Sequence, residues 1–223
     1  MATAKQRQSI VAALLALAAE RPWDRIGLAD VAERAEVPLA VLRGAYEGRG
    51  AILAEFVAGI DAAVLSGSDP QMAGEPARDR LLDAVMRRLD ALGPHKAGIR
   101  GLVRSARTDP GLALALARIG LVSQPWTLAS AGIEASSPMG RLRAAGLGLV
   151  MARILPIWLD DEDPGLARTL AAVDRALTRG AATLDRVEKV GCRIGRVAAR
   201  ACARRRPSEP PAATSPVADA GAV

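Results

Sequence analysis

Two short amphipathic segments separated by a tight break, within residues 26–49, constrain the fold of this chain most strongly. Each segment has apolar residues at helical spacing: Leu28, Val31 and Ala32 in the first, Leu39, Leu42 and Tyr46 in the second. The break lies at residues 35–37, where Val37 is the apolar residue that would pack between the helices. Pro38 follows and suits a helix start, since its missing N–H would have no partner there. The pattern predicts a helix-turn-helix.

The composition favours helices packed on helices. Half of the 223 residues are hydrophobic, yet only 2% are aromatic, and alanine and leucine supply most of the apolar content. Such residues favour helices over strands. The chain is long enough for one or two domains. Cys192 and Cys202 have no neighbouring histidine or cysteine, so neither a disulfide framework nor a metal site is expected. We predict an all-α fold without metal or cofactor.

Breaks in the apolar periodicity divide the chain into four parts. These are a helix-turn-helix domain at 1–65, a helical ligand-binding or dimerisation domain at 70–185, a basic segment at 186–206 and a disordered tail at 207–223. Helices are predicted over 4–20, from residue 51, and over 78–93, 95–107, 111–132, 139–159 and 165–185. Pro125 predicts a kink or break near Gln124, Asp109 is expected to cap the helix that follows it, and Asp161 or Asp163 is expected to begin the last helix.

Positive charge is concentrated near the C-terminus. Residues 186–206 hold eight basic side chains and one acidic one, whereas residues 1–185 hold 22 and 21. Apolar residues recur there at spacings of three and four, with basic residues one position before each, which predicts an amphipathic helix. It would lie on a membrane surface or nucleic acid through Lys189, Arg193, Arg196 and Arg200. Alternatively, its apolar stripe docks on the domain.

The sequence predicts a cytoplasmic protein. No uncharged apolar run reaches the roughly 18 residues that a membrane span needs, and no signal-type cleavage region follows the N-terminus. The basic segment would allow peripheral contact with the inner membrane.

No catalytic set is visible, so an enzyme is not expected. The single histidine, His95, follows Gly93 and Pro94 and is expected to be a surface or capping residue. The acidic run at residues 160–163 lacks the glycine and spaced oxygen ligands of a calcium loop. Acids at a helix start are favoured by the helix dipole instead.

The most apolar segments carry a candidate ligand site. Its residues are Trp126, Met151, Arg153, Leu155 and Trp158. Helices bent by proline would leave an apolar pocket, with Arg153 as its polar group if that side chain faces inward. The alternative is ordinary core or a dimer interface.

Residues 26–53 resemble the DNA-binding half of the TetR family of bacterial regulators. The matching residues are Val31-Ala32 in the first helix, Ala35-Glu36-Val37 at the turn, Tyr46 as the closing aromatic, Arg49 in place of the family's Lys, and Leu53. The resemblance implies a ligand-responsive homodimer that binds DNA through Pro38, Leu39, Val41, Arg43 and Arg49. The family usually has Ser or Thr where this chain has Pro38, and a small polar residue and then an aromatic where it has Val41 and Arg43. Base edges are read by hydrogen bonds, which Leu39 and Val41 do not offer.

The C-terminal half is similar to the lipid-binding accessory proteins of ubiquinone biosynthesis, which share the TetR-like fold. The similarity covers residues 78–180 and is most specific at Trp158, the following LDDEDP, Thr169 and Arg175. It implies a dimer that holds an isoprenoid lipid and touches membranes through a C-terminal helix. The sequence thus leaves two functions open: a transcriptional regulator and a lipid-binding accessory protein.

Overall fold

A computed structural model of the chain describes residues 2–183. This part contains helices, short 3-10 turns and no strand, which confirms the predicted all-α class. The helices are α1 (Ala4–Glu20), α2 (Leu28–Arg34), α3 (Leu39–Ala45), α4 (Arg49–Ser66), α5 (Ala77–Leu92), α6 (Lys96–Ala106), α7 (Pro110–Ser130) and α8 (Pro138–Leu159), followed by α9 over residues 167–183. Residues up to Ala181 form one compact unit. The predicted basic helix at 186–206, with Lys189, Arg193, Arg196 and Arg200, and the tail at 207–223 lie outside the described residues.

Side-chain caps set the starts of three helices. Thr3 and Gln6 form a reciprocal capping box at α1, with the Gln6 amide donating to the Thr3 hydroxyl over 3.2 Å. Asp109 accepts from the Leu112 amide over 2.9 Å at α7, which confirms its predicted role. Ser137 accepts from the Gly140 amide at α8. Each cap satisfies a donor that a helix start leaves free.

The acidic run at residues 160–163 starts α9, as the sequence predicts, and both candidate aspartates take part. A carboxylate oxygen of Asp161 accepts from the amide and the hydroxyl of Thr169, over 2.9 and 2.6 Å. Asp163 accepts from the Ala167 amide over 3.1 Å. The Thr169 hydroxyl is the main reason that the pKa of Asp161 lies below its ordinary value. These carboxylates therefore serve as helix caps.

Helix α7 does not break at Gln124, which was one of the two outcomes, a kink or a break, that the sequence predicted there. The helix continues through Pro125 to Ser130, although proline cannot donate the hydrogen bond of its turn. The Gln124 side-chain amide donates to the carbonyl of Gly120 over 3.0 Å. Because α7 packs against α4, α5, α6 and α8, tertiary contacts hold it together across the single missing hydrogen bond.

Helices α1 and α6 approach so closely that only glycine fits between them. A Cβ atom at Gly101 would lie 1.7 Å from the carbonyl oxygen of Ala18, and one at Gly98 would lie 2.5 Å from that of Leu15. Helix α1 also packs against α2 and α4. This contact therefore joins the helix-turn-helix part to the larger helical part through backbone packing.

A buried polar cluster ties α4, α5 and α7 together. Arg88 on α5 donates to the Asp61 carboxylate on α4 over 2.5 Å and to the Ser123 hydroxyl on α7 over 2.6 Å. Ser123 donates in turn to Asp61, and Thr127 lies 3.3 Å from the guanidinium. All four residues are buried. Removing one partner of such a pair leaves an uncompensated buried charge, so the cluster fixes how these helices pack.

Basic side chains of α6 bind the end of α8. Lys96 donates to the carbonyl of Asp161, and Arg100 donates to that of Leu159. The Lys96 ammonium also lies 5.3 Å from the centre of the Trp158 ring. Cations are favourable at a helix C-terminus, where the last carbonyls lack intrahelical partners.

Helices α7 and α8 alter the expectation about membrane spans. Each is long and apolar enough to cross a membrane by length and composition. Within the most apolar window, 28% of the residues are buried in α7 and 33% in α8. Arginines interrupt both helices, so their uncharged runs are shorter than a membrane span. The windows that include arginine are nevertheless apolar enough for one. Length and composition do not distinguish a span from a core helix of a soluble protein, and α7 packs against four other helices.

We expect Gly101→Ala to lower the free energy of unfolding by about 2 to 3 kcal/mol or more, because the added methyl group overlaps the Ala18 carbonyl. Gly59→Ala is the matched control, since Gly59 lies exposed within α4 and has nothing within 4 Å of its Cβ position. That change should add about 0.5 to 1 kcal/mol through helix propensity. Urea denaturation monitored by circular dichroism measures both. Equal effects of the two substitutions would contradict the close contact.

Candidate nucleic-acid interface

The predicted helix-turn-helix is present as α2, a four-residue turn and α3. The amide of Val37 donates to the carbonyl of Ala32 over 3.0 Å, and the Val37 side chain is buried between the helices. Glu36 adopts a φ of 54°, a left-handed conformation that costs an L-residue about 1 to 2 kcal/mol.

Tyr46 closes the motif at the end of α3. Its ring is buried, and the guanidinium of Arg7 lies 5.3 Å from the ring centre. Arg7 on α1 also pairs with Glu55 on α4 over 2.6 Å. Burial, and then the nearby Glu55 carboxylate, raises the pKa of Tyr46 to about 12. Tyr46 therefore anchors α3 against α1 and α4.

Arg49 serves the scaffold, in contrast to the phosphate contact expected from the sequence. Its guanidinium lies 4.3 Å from the centre of the Trp23 ring and donates to the carbonyls of Trp23 and Ile26. These contacts fix the 3-10 turn at Trp23–Arg25 to the start of α4. The sequence offers a weak signal for this role, namely a tryptophan in the turn before the motif.

The outward face of α3 is mostly apolar. Its exposed residues are Pro38, Leu39, Ala40, Arg43 and Gly44, with Leu39 at 49% exposure. Val41 is half-buried and contributes less to this face than expected. Arg43 has no hydrogen bond or ion pair within residues 2–183. It is the one exposed side chain of α3 that can donate to a base or a phosphate.

Few cations near the motif are free to contact phosphates. Residues 1–50 contain seven basic and six acidic side chains. Arg7 and Arg34 form ion pairs, Arg21 lies 3.6 Å from Asp30, and Arg49 is engaged as described. Among the described residues of this segment, the unpaired cations are Lys5, Arg25 and Arg43. The electrostatic contribution of residues 1–50 to binding a polyanion is therefore small.

The structure does not bring the five candidate ligand residues together. Trp158 is 2% exposed and Met151 is also buried, so both belong to the core. Trp126 is 53% exposed, Arg153 is exposed, and Leu155 is half-buried. Arg153 thus faces outward and does not supply the inward polar group that the pocket hypothesis required. Their positions on the helix faces are set by packing that the sequence spacing did not reveal.

A cleft lies elsewhere, between the end of α1, the Trp23–Arg25 turn, α6 and the start of α7. Its volume is about 660 Å³. The lining includes Arg21, Asp24, Arg104, Ser105 and Thr108 and contains none of the five candidate ligand residues. The Ser105 hydroxyl accepts from the amide of Trp23 over 3.2 Å.

No group of three or more metal-ligating side chains is found among residues 2–183. His95 stands at the start of α6, where its ring meets that of Phe56 edge-on at 5.0 Å between centroids. Burial lowers the pKa of His95. His95 occupies the N-cap position of α6, but its side chain makes no capping hydrogen bond, so it serves as a packing residue.

Comparison with known structures identifies the fold. A TetR transcriptional regulator from Nitrosomonas europaea ATCC 19718 matches 78% of this chain and 97% of its own, with a TM-score of 0.60 at 22% identity. A TetR transcriptional regulator from Rhodococcus sp. RHA1 matches 79% and 95%, with a TM-score of 0.54 at 17% identity. No protein-family model and no curated protein matches the chain. At these identities the likeness establishes the fold, which confirms the predicted TetR-like architecture.

Alkaline pH should destabilise the protein through Tyr46. The folded state holds the phenol protonated to about pH 12, whereas the unfolded chain loses that proton near its ordinary pKa of 10.0. Stability from this group is therefore intact below pH 10 and falls by about 2 to 3 kcal/mol as the pH rises to 12.

The chain has a single tyrosine, so tyrosinate absorbance reports Tyr46 alone. We expect a titration midpoint well above 10 in the folded protein and near 10 in urea. Tyr46→Phe, the matched control, should remove this part of the alkaline loss of stability. A folded-state midpoint near 10 would contradict the assignment.

Proposed function

We propose that this chain, which has the fold of TetR-type regulators, is a DNA-binding transcriptional regulator that acts as a homodimer in the cytoplasm. It has no enzymatic role in this proposal. Residues 1–65 would form the DNA-binding part and residues 70–185 the dimerisation and ligand-binding part. The observation that carries the proposal is the outward face of α3, where Arg43 is unpaired on a helix held by Tyr46.

Dimerisation is supported by an exposed stripe on α8. Leu142, Ala145, Leu149 and Ala152 are exposed and recur at spacings of three and four, with Leu149 at 67% exposure. Val122 and Trp126 on the neighbouring α7 are also exposed. An apolar stripe of this spacing packs against a second helix pair, and a twofold axis would place the same patch of each copy against the other.

The same apolar surface supports a response to an apolar ligand. In this proposal the ligand contacts exposed apolar side chains of α7, which include Val122 and Trp126, and shifts the population between two arrangements of the paired α3 helices. The buried cluster around Arg88 and Asp61 links α7 to α4, the helix that begins directly after the helix-turn-helix. A change at α7 would therefore reach the DNA-binding part through rigid contacts.

DNA selection tests the proposal directly. Genomic fragments recovered by the full chain should contain a palindromic site bound by two copies. Arg43→Ala should weaken binding to that site at least about thirtyfold, because a dimer loses two bidentate contacts of about 1 to 3 kcal/mol each. Arg107→Ala, which removes an exposed arginine at the end of α6, is the matched control and should bind normally. Failure to recover any site would contradict the proposal.

The salt dependence of binding provides an independent measurement. Lys5 and Arg25, the free cations of residues 1–50 besides Arg43, give about four phosphate contacts per dimer. We therefore expect the logarithm of the association constant to fall with the logarithm of salt concentration at a slope of about −4. A much steeper slope would mean that cations outside residues 1–50, such as those at 186–206, take part.

The second candidate is a lipid-binding accessory protein of ubiquinone biosynthesis that touches membranes. The exposure of Val122, at 72%, and of other apolar side chains on α7 and α8 favours it. However, the most specific residues of that resemblance have structural roles here, since Trp158 lies in the core and Asp161 and Thr169 cap α9.

Lipid extraction followed by mass spectrometry separates the two candidates. For a regulator we expect no stoichiometric isoprenoid lipid and recovery of a DNA site by the same preparation. Stoichiometric isoprenoid lipid without a DNA site would favour the accessory protein. Leu149→Glu places a charge in the α8 stripe and should disrupt the dimer under either candidate function. The oligomeric state of this variant is therefore the reference for a disrupted stripe.

A further inference from the structure

The chemistry of the α3 surface limits which base features it can recognise. Leu39 and Ala40 are exposed but carry no hydrogen-bonding side-chain atoms, and Gly44 has no side chain. Arg43 alone presents side-chain donors from α3. A reading helix usually distinguishes bases by hydrogen bonds, yet the major groove also presents one apolar feature, the 5-methyl group of thymine.

The spacing places these residues together. Positions 39 and 43, and positions 40 and 44, are each four residues apart, so they form two neighbouring rows along the exposed side of α3. A helix of seven residues is about 10 Å long, which corresponds to about three base pairs at 3.4 Å each. The apolar residues and Arg43 would therefore face adjacent base pairs.

Small side chains permit the close approach that methyl contacts need. A Cβ at Gly44 would have nothing within 4 Å, so this side of α3 is open to a partner. The flanking Glu36 and Glu47 are exposed and repel phosphates. Because Arg43 is the one side chain of α3 that donates hydrogen bonds, close apolar packing must supply more of the discrimination between sequences.

We infer that α3 recognises thymine methyl groups through Leu39 and Ala40, beside a guanine that Arg43 contacts. The inference rests on the proposed DNA-binding function and names the sequence chemistry of its partner, a duplex in which thymines adjoin a guanine in each half-site. Arg43 would donate to the O6 and N7 atoms of that guanine. Leu39 is then a residue that determines specificity.

Uracil substitution tests the inference at single bases. Duplexes bound by the full chain are first selected from a random library, and each thymine of the selected site is then replaced by deoxyuridine, which lacks only the methyl group. Each contacted position should weaken binding about fourfold, equivalent to about 0.8 kcal/mol for one methyl-sized apolar group. Thymines outside the protected region should show no change.

Protein variants assign the effect to the helix. Leu39→Ala should abolish the difference between thymine and deoxyuridine at one position of each half-site, while Arg43→Ala should leave that difference in any residual binding. Leu65→Ala, which shortens an exposed leucine of α4, is the matched control and should retain the full difference. Circular dichroism verifies that each variant keeps its helices.

The outcomes separate the inference from the function on which it rests. Selected sites that lack thymine beside guanine, or sites insensitive to deoxyuridine, would overturn methyl recognition while leaving DNA binding intact. Failure to select any duplex would overturn the proposed function itself. Fourfold effects that disappear with Leu39→Ala would establish both.

Discussion

The backbone contact between α1 and α6 is the constraint on which the arrangement of this protein depends. Gly98 and Gly101 allow α6 to lie directly on the carbonyls of α1, and α1 in turn packs against α2 and α4. Because backbone atoms make the contact without intervening side chains, side-chain rearrangement cannot accommodate a movement of α6 relative to α1. The position of the helix-turn-helix is therefore set by the larger helical part.

Buried charge adds direction to this packing. Apolar contacts tolerate sliding, whereas the Arg88 guanidinium has defined partners on α4 and α7 and loses them if either helix shifts. Arg49 plays a similar role at the other end of α4, where it fixes the turn at Trp23. Helix α4 is thus held by an arginine near each end. Arg49 acts beside the helix-turn-helix, and Arg88 of α5 acts on Asp61 near the other end.

Much of the fold was predictable from the sequence, because periodicity and terminators act locally. The predicted first helix at 4–20 has the observed bounds of Ala4–Glu20, and Asp109 caps α7 as expected. Of the kink or break predicted near Gln124, the break does not occur, since tertiary contacts outweigh one lost hydrogen bond. Spacing also failed to show that Arg49 turns inward, because its partners are backbone carbonyls that the sequence does not mark.

The candidate site was harder to predict for a related reason. Which of the apolar residues on α7 and α8 are buried depends on packing partners distant in sequence, so Trp158 entered the core while Trp126 stayed exposed. On α3, by contrast, the exposed residues follow directly from the burial of Leu42 and Tyr46. A short helix that buries one face must expose the opposite face to solvent. In this chain that face combines one free arginine with apolar side chains, so under the proposed DNA-binding function its specificity would come from shape and methyl contacts more than from hydrogen bonds.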